Sequence, residues 1–179
     1  SLEGIAALTQ LGNLQIGFNL LADLSPLFGL NQLKILTLNG NRAIRHLDGL
    51  PPSLSELHLA QCFIQDFSAL ASMKSLRVLT VAPGSMAGLN VLGELALLNN
   101  LHIQAKRMHG RLVMPANASL QHLRITGAQL ITELVAEQGF PALENLQIHH
   151  SPMTQPPAVG HFPKLKRLEI KHSPLENLD

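Results

Sequence analysis

Histidine is the side chain of this sequence best suited to chemistry near neutral pH, and nine histidines occur among its 179 residues. A neutral imidazole binds metal ions and exchanges protons, and it changes charge between about pH 5 and 8. Six of the histidines recur at related positions of a leucine repeat: His58, His102, His122, His149, His150 and His172. These six are the first candidates for a functional site.

Three interpretations of these histidines stay open. They are solvent-exposed strand residues without a task, or they contact a partner, or they bind a metal ion. Partner contact would make recognition weaken as the pH falls through the imidazole range, or strengthen if the partner is acidic. His149, His150 and His172 could approach one another across two units, but no carboxylate or cysteine completes an obvious metal-binding set. We therefore predict no metal site and no cofactor.

Cys62 is the only cysteine, which excludes an internal disulfide and a C-x-x-C motif. His58 lies four residues before it, which is about 12 Å along an extended strand. The repeat pattern also directs Cys62 toward the core. The sequence contains no Walker loop, GxSxG turn, GxGxxG turn or HExxH helix. We predict a buried structural thiol, no catalytic residues and no enzymatic activity in this segment.

A recurring template positions all of these residues. Leucine, two residues, leucine, one residue and then leucine, isoleucine or valine occur eight times, at a period of 21 to 23 residues. The opening residues are Leu11, Leu33, Leu54, Leu76, Leu98, Leu120, Leu143 and Leu165. One supersecondary unit repeated at a constant period stacks into a solenoid. The aromatic content of 3% fits this prediction, because a uniform aliphatic column needs few aromatic fillers.

The units Leu33–Asn41 and Leu54–Cys62 resemble the leucine-rich repeat pattern L-x-x-L-x-L-x-x-N/C-x-L. The resemblance implies that each L-x-L piece is a short strand of a parallel sheet on the concave side. Apolar residues then follow in steps of three, as at Ile44, Leu47 and Leu50, which favours an irregular or 3₁₀ return on the convex side. The predicted fold is an α/β solenoid, a leucine-rich repeat horseshoe of about eight units.

The ninth position of the unit departs from the family pattern, in which an inward Asn or Cys supports the turns. It reads Asn19, Asn41, Cys62, Gly84, Lys106, Ala128, Ser151 and Ser173. Because Gly, Ala and Lys cannot replace Asn there, we expect irregular turns after units four to six, with Lys106 turned outward. The segment Ile131–Gln138, which precedes Gly139, is expected to form a short helix that ends at the glycine.

Both ends of the sequence continue the repeat instead of capping it. Leu2 and Ile5 extend the three-residue step backwards, and Leu175 and Leu178 begin a further return segment. Solenoids need polar terminal caps over their last layers. We therefore expect residues 1–179 to form a single leucine-rich repeat domain within a longer protein, with an oligomeric state that the sequence leaves open.

The outward side chains of the predicted sheet come mainly from the third and fifth positions of each unit. They are polar and weakly charged, and the net charge of +1 gives no field of the kind that binds nucleic acid. No apolar run approaches the ~18–20 residues that span a bilayer, so we predict no membrane partner. The residues predicted to bind a protein partner are Gln15, Thr37, Glu56, His58, Asn100, His102, His122, Arg124, Asn145, Gln147, Arg167 and Glu169.

We predict a protein–protein interaction module that binds its partner through the concave sheet. Leu50–Leu59 resembles the L-P-x-x-L-x-x-L-x-L spacing of bacterial leucine-rich repeat effectors. That resemblance implies secretion into a host cell and an alternative function, substrate recognition for a larger enzyme such as an effector ubiquitin ligase. The period also resembles intracellular eukaryotic repeats that scaffold phosphatases, and a structural spacer is a third alternative. Lys164, Lys166, Arg167 and Lys171 form a basic group that is interpreted as a solvated edge, with an acidic partner or phosphates as the alternative. Lys106, Arg107 and Arg111 form a second basic group, which is also interpreted as a solvated edge.

Overall fold

The computed structural model describes residues 2–84, 88–136 and 138–176. Within these ranges, eight strands form one parallel sheet in the order β1-β2-β3-β4-β5-β7-β9-β10. Their bounds are β1 Asn13–Gln15, β2 Ile35–Thr37, β3 Glu56–Leu59, β4 Val78–Val81, β5 Asn100–Gln104, β7 His122–Thr126, β9 Asn145–His149 and β10 Arg167–Lys171. Each strand coincides with the L-x-L part of one unit, so the predicted parallel sheet is confirmed.

The strands pair at equal repeat positions, so each unit stacks on the next without a shift. The fourth-position leucines therefore form one file across the sheet: Leu14, Leu36, Leu57, Leu79, Leu101, Leu123, Leu146 and Leu168. The six inner members of the file are at most 1% exposed. A single unit buries too little apolar surface to offset the entropy of ordering its residues, so the stability resides in the interfaces between neighbours.

Short 3₁₀ turns connect several strands on the side opposite the sheet. Their bounds are Ile5–Ala7, Ser25–Leu27, Ser68–Ser72, Leu89–Glu94 and Val159–His161. A 3₁₀ turn has three residues per turn, so apolar residues spaced by three all face the core. Leu24, Leu27 and Leu30 follow this spacing and are each at most 2% exposed. The predicted irregular or 3₁₀ return is confirmed: Ser68–Ser72 is a 3₁₀ turn in the return after Cys62, whereas Ile44, Leu47 and Leu50 are buried in a fully described stretch without a 3₁₀ turn.

The ends of the sequence are described only in part. Leu2 and Ile5 are half-buried and pack against the core. Leu175 is half-buried as well, whereas Leu178 lies outside the described residues.

Two return segments form a second sheet that the sequence analysis did not predict. Strands β6 (Gly110–Met114) and β8 (Ile131–Ala136) pair in parallel. The predicted helix over Ile131–Gln138 is therefore wrong for its described part, since Ile131–Ala136 is a strand. After units five and six, the short turns at residues 105–109 and 127–130 are irregular and a strand follows each of them. For unit four the expected irregular turn falls mostly on residues 85–87, which lie outside the described ranges.

A bulge explains why β8 resembled a helix. The register shifts between Gly110 and Arg111, so Thr132 has no partner on β6. The insertion leaves two exposed residues, Thr132 and Glu133, between the buried Ile131 and Leu134. Such a three-residue step between apolar residues is typical of a helix, and a bulge in a strand produces the same step.

The ninth position supports the turns at Asn41 and Cys62. Asn41 is fully buried, and its Nδ2 donates to the carbonyl oxygens of Ile16 (2.9 Å) and Leu38 (2.8 Å) while its Oδ1 accepts from the backbone N–H of Leu21 (3.1 Å). Cys62 is also fully buried and its Sγ donates to the same Leu38 carbonyl at 3.2 Å. The predicted buried position of this thiol is confirmed, and burial raises its pKa.

At units five and six the ninth position is filled differently. Lys106 is exposed, as predicted, and Ala105 occupies the core beside it. Ala128 is fully buried without replacing the hydrogen bonds of Asn.

The chain leaves the sheet through a left-handed residue at the eighth position of most units. Positive φ angles occur at Phe18 (57°), Gly40 (77°), Gln61 (57°), Gly127 (65°), His150 (60°) and His172 (55°). Glycine is favoured at position 40 for two reasons. It adopts a positive φ without strain, and a Cβ on Gly40 would lie 2.6 Å from the ring of Phe18. The repeated reversal turns the eighth side chains toward the edge of the sheet at the carboxyl ends of its strands.

Candidate protein-binding surface

The outward side chains of the eight-stranded sheet form two parallel rows, which we call the sheet surface. Pairing by equal position places Asn100, His122 and Asn145 side by side in the third-position row. It likewise aligns His102, Arg124, Gln147 and Glu169 in the fifth-position row. All twelve residues of the predicted partner-binding set lie in these rows, and all of them are exposed or half-buried.

Five of the twelve residues surround one depression on the sheet surface. Asn100, His122, Arg124, Asn145 and Gln147 line this depression, whose volume is about 260 Å³. They come from β5, β7 and β9, three successive strands of the sheet. The depression offers a guanidinium, an imidazole and three amides, so it can donate and accept hydrogen bonds at several points. We call it the central depression.

Asn145 has unused hydrogen-bonding capacity at this position. Its Oδ1 is buried and finds no hydrogen-bond partner among the residues that the structure describes. An amide can be turned about its last bond, which exchanges its acceptor for a donor. Asn145 lines the central depression, and its buried oxygen does not tie it to a neighbouring strand.

Two histidines are held in place by threonines of the neighbouring unit. His102 Nε2 lies 2.8 Å from Thr126 Oγ1, and His58 Nδ1 lies 3.2 Å from Thr80 Oγ1. Burial lowers the pKa of His102, and the positive charges of Arg124 and His149 lower it further. His102 is therefore neutral at pH 7 and presents a fixed, uncharged imidazole beside the central depression.

The last two strands form an ion-pair cluster on the same face. Glu169 is only 15% exposed, and its carboxylate lies 2.9 Å from His149 Nε2 and 2.7 Å from Lys171 Nζ, with Arg167 as a third partner. Hydrogen bonds from Lys171, Arg167 and His149 lower the pKa of Glu169 to about 2. Glu169 and Arg167 of the predicted set are thus already paired with each other.

The remaining predicted residues lie toward the first strands. Gln15 on β1 is exposed, and Thr37 on β2 and Glu56 on β3 are half-buried. Glu56 Oε2 lies 3.9 Å from His58 Nε2, farther than Glu169 lies from His149. The structure brings none of these four residues into the central depression.

The three histidines considered as metal ligands make other contacts in the structure. His149 bonds Glu169, while the rings of His150 and His172 stack with centroids 4.5 Å apart. Across the described ranges, no group of three His, Cys, Asp or Glu side chains is placed to hold a metal ion.

The basic group Lys106, Arg107 and Arg111 is divided by the fold. Arg111 pairs with Glu133 of β8 at 2.7 Å on the return side. Arg107 instead stacks on Phe63, with its Cζ 3.6 Å from the ring centroid. The sequence analysis missed Phe63, although it occupies the tenth position of its unit, as Arg107 does of another, and a period of about 22 residues superposes such positions.

Comparison with known proteins gives structural similarity only. The crystal structure of internalin C2 from Listeria monocytogenes matches with a TM-score of 0.62 and 22% identity, over 99% of this chain and 69% of that one. A second internalin of that organism, InlF, matches with a TM-score of 0.48 and 21% identity, over 97% and 58% of the two chains. No protein-family model and no curated protein matches the sequence.

The described segments contain no helix with the length and apolar character needed to cross a membrane. Eight strands of the described residues pair in register as a parallel sheet, and the structural match to internalin C2 covers 99% of this chain. Together these observations show that the chain has the leucine-rich repeat fold.

Proposed function

We propose that this chain binds a protein partner through the sheet surface, with the central depression at the middle of the contact. The observation that supports this most is the clustering of five polar side chains from three strands around one depression. Leucine-rich repeat folds in general act as protein-binding scaffolds, because their stacked units present an extended surface. Eight strands about 4.8 Å apart make this surface about 34 Å long, which suits a contact of about 800 Å² per partner.

Binding is favoured over catalysis by the nature of the depression. The depression is shallow and open. His102 lies beside it with a lowered pKa, which favours the neutral imidazole. Among the described residues, Thr126 is the only potential nucleophile in hydrogen-bond contact with this ring. A catalytic site would require a nucleophile and base in a water-excluding cleft. The mixed donors and acceptors match the polar composition of protein interfaces.

A second function is supported by the segment Leu50–Leu59. Its L-P-x-x-L-x-x-L-x-L spacing resembles that of bacterial effectors, so this chain would be the substrate-recognition arm of a secreted enzyme such as a ubiquitin ligase. Under this proposal residues 1–179 are a single domain of a longer protein. Sequencing the flanking gene on both sides tests it, since an enzymatic domain in the same reading frame is required.

The binding proposal is tested by alanine truncations on the two faces, each of which removes one arginine or lysine. A sheet variant combines H122A, R124A and Q147A, and a matched return-side variant combines K74A and N90A, all at exposed or half-buried positions. Partners captured by the wild-type chain are purified, and their Kd is measured by calorimetry. We expect the sheet variant to raise Kd at least about tenfold, because central contacts cost 2 kcal/mol or more when truncated.

The return-side variant is expected to bind as the wild type does. Unchanged affinity of the sheet variant, or loss of affinity in the return-side variant alone, would move the binding site off the sheet surface. Circular dichroism of each variant checks that the fold is retained.

A further inference from the structure

A basic cavity lies at the edge of the sheet, beyond the carboxyl ends of strands β2 to β5. It has a volume of about 240 Å³, and its wall includes Arg42, Gln61, Phe63, Gln104, Lys106 and Arg107. A second opening of about 370 Å³ shares Phe63 and Arg107 and adds Arg45. The two openings therefore form one trough along the edge, which we call the basic trough.

The trough is positive, and no Asp or Glu among the described residues lines either opening. Its cations are Arg42, Arg45, Lys106 and Arg107. In the described part of the chain none of these four forms an ion pair, whereas Arg111, Lys166, Arg167 and Lys171 all do. Four neighbouring cations repel one another, so an anionic ligand would relieve a cost that the free protein bears.

The aromatic ring fixes the central cation. Arg107 Cζ lies 3.6 Å from the centroid of Phe63, and Arg45 Cζ approaches the same ring at 5.8 Å. Stacking occupies the face of a guanidinium and leaves its N–H edge free for a two-point hydrogen bond to a carboxylate. The Arg107 fork is thus ordered before any ligand arrives, which lowers the entropy that binding costs.

Local packing also orders the other wall of the trough. The stem of Lys106 lies over Gly127, where an added Cβ would come within 2.7 Å of Lys106 Cγ. Gln104 Oε1 accepts from the backbone N–H of Gln61 at 3.2 Å, which leaves the Gln104 amide N–H₂ free to donate. Beside the cations, the trough therefore offers amide groups that suit the backbone of an extended peptide.

We propose that the basic trough binds an acidic, Asp- or Glu-rich segment of a protein partner. Two joined openings of this size accept several residues of extended chain, and the cations are spaced along them instead of around one point. A nucleic acid is disfavoured because the chain as a whole has a net charge of +1 and only one aromatic ring faces the trough. The trough lies outside the two rows of the sheet surface, so this proposal stands independently of the one above.

The probe is the synthetic peptide Gly-Glu-Asp-Glu-Leu-Asp-Glu-Gly, titrated into the ¹⁵N-labelled chain and followed by NMR. We expect saturable shifts at Gln61, Phe63 and Arg107, and none on β9. The peptide with every acid replaced by its amide is expected to leave these signals unchanged. A single-stranded oligonucleotide of equal charge is expected to bind more weakly than the acidic peptide.

Two variants and a control separate recognition from folding. R42Q/R107Q is expected to raise the peptide Kd at least about tenfold, whereas K74Q, which removes a distant exposed cation, changes it by less than about twofold. R107K keeps the charge but loses the stacked fork, so an intermediate loss is expected. Should R42Q/R107Q fail to fold, R107K and the salt dependence of the wild type give the same test.

The proposal would be overturned by no binding of the acidic peptide up to about 1 mM, by equal binding of R42Q/R107Q and wild type, or by tighter binding of the oligonucleotide. Shifts located on the sheet surface instead of the trough would also overturn it, without bearing against the proposed function.

Discussion

Three cationic or protonatable side chains surround Glu169 and lower the pKa of its carboxyl group. Its pKa is lowered from 4.5 to about 2 by hydrogen bonds from Lys171, Arg167 and His149. A carboxyl whose pKa is depressed by folding stabilises the folded state above its unfolded pKa, and this contribution is lost as the pH falls through the folded value. The relevant window therefore runs from about pH 4.5 down to about pH 2.

We predict that E169Q flattens the acid dependence of stability in that window. The wild type should lose thermal stability as the pH falls from 4.5 toward 2, and the variant should lose less, because its amide cannot be protonated. Thermal unfolding followed by circular dichroism at several pH values measures this. A side-chain ¹³C titration that places Glu169 near pH 4.5 in the folded chain would contradict the proposed cluster.

Asn41 joins three backbone groups of two units inside the core, and no side chain without an amide can do the same. Asn41→Ala leaves those groups without their partner, and we expect a loss of about 2 to 3 kcal/mol in the free energy of unfolding by urea. Asn19 occupies the same repeat position but is exposed, so Asn19→Ala is the matched control, with a change within about 0.5 kcal/mol. Equal losses in both variants would show that burial does not decide the effect.

At the scale of elements, the second sheet depends on cross-strand pairs that a helix would not contain. Val113 of β6 is paired with Val135 of β8, whereas Thr132 lies unpaired at the bulge. A double-mutant cycle with V113A and V135A should give a coupling of about 0.5 kcal/mol, as expected for β-branched neighbours on one face. The control cycle with V113A and T132A should give none. Absence of coupling at both pairs would contradict the strand assignment.

Leucine spacing predicts the main sheet because equal residue positions must stack to bury their side chains. The three-residue steps at Ile44, Leu47 and Leu50 predict an irregular or 3₁₀ return for a similar reason, since every member is buried. The step from Ile131 to Leu134 led to the wrong prediction of a helix, because a bulge produces the same spacing as a helix turn. The spacing of apolar residues predicts which side chains are buried. In a segment this short it does not predict whether the backbone is a helix or a bulged strand.

Contacts between units could be predicted only as rows. The sequence places His102 and Arg124 on one face, but the bond from His102 to Thr126 and the effect of Arg124 on its pKa depend on side-chain conformations across strands. The basic trough could not be predicted from the sequence, because Phe63 and Arg107 belong to units that are not consecutive. The twelve residues proposed to bind a partner are an inference from position, and only five of them share the central depression.

The stacking of the repeat units has two consequences for the whole molecule. It seals an aliphatic column from Leu24 to Phe162, and it leaves the alternate side chains of every strand in an ordered polar surface. Under the proposed function, a partner contacts the sheet surface and not the return side.

Site-specific photocrosslinking tests this most directly. A benzophenone amino acid is placed at Gln147, within the central depression, or at Asn90, on the return side, and the chain is irradiated with its purified partner. The proposed function predicts a covalent adduct from position 147 and none from position 90. An adduct from position 90 alone would contradict binding through the sheet surface.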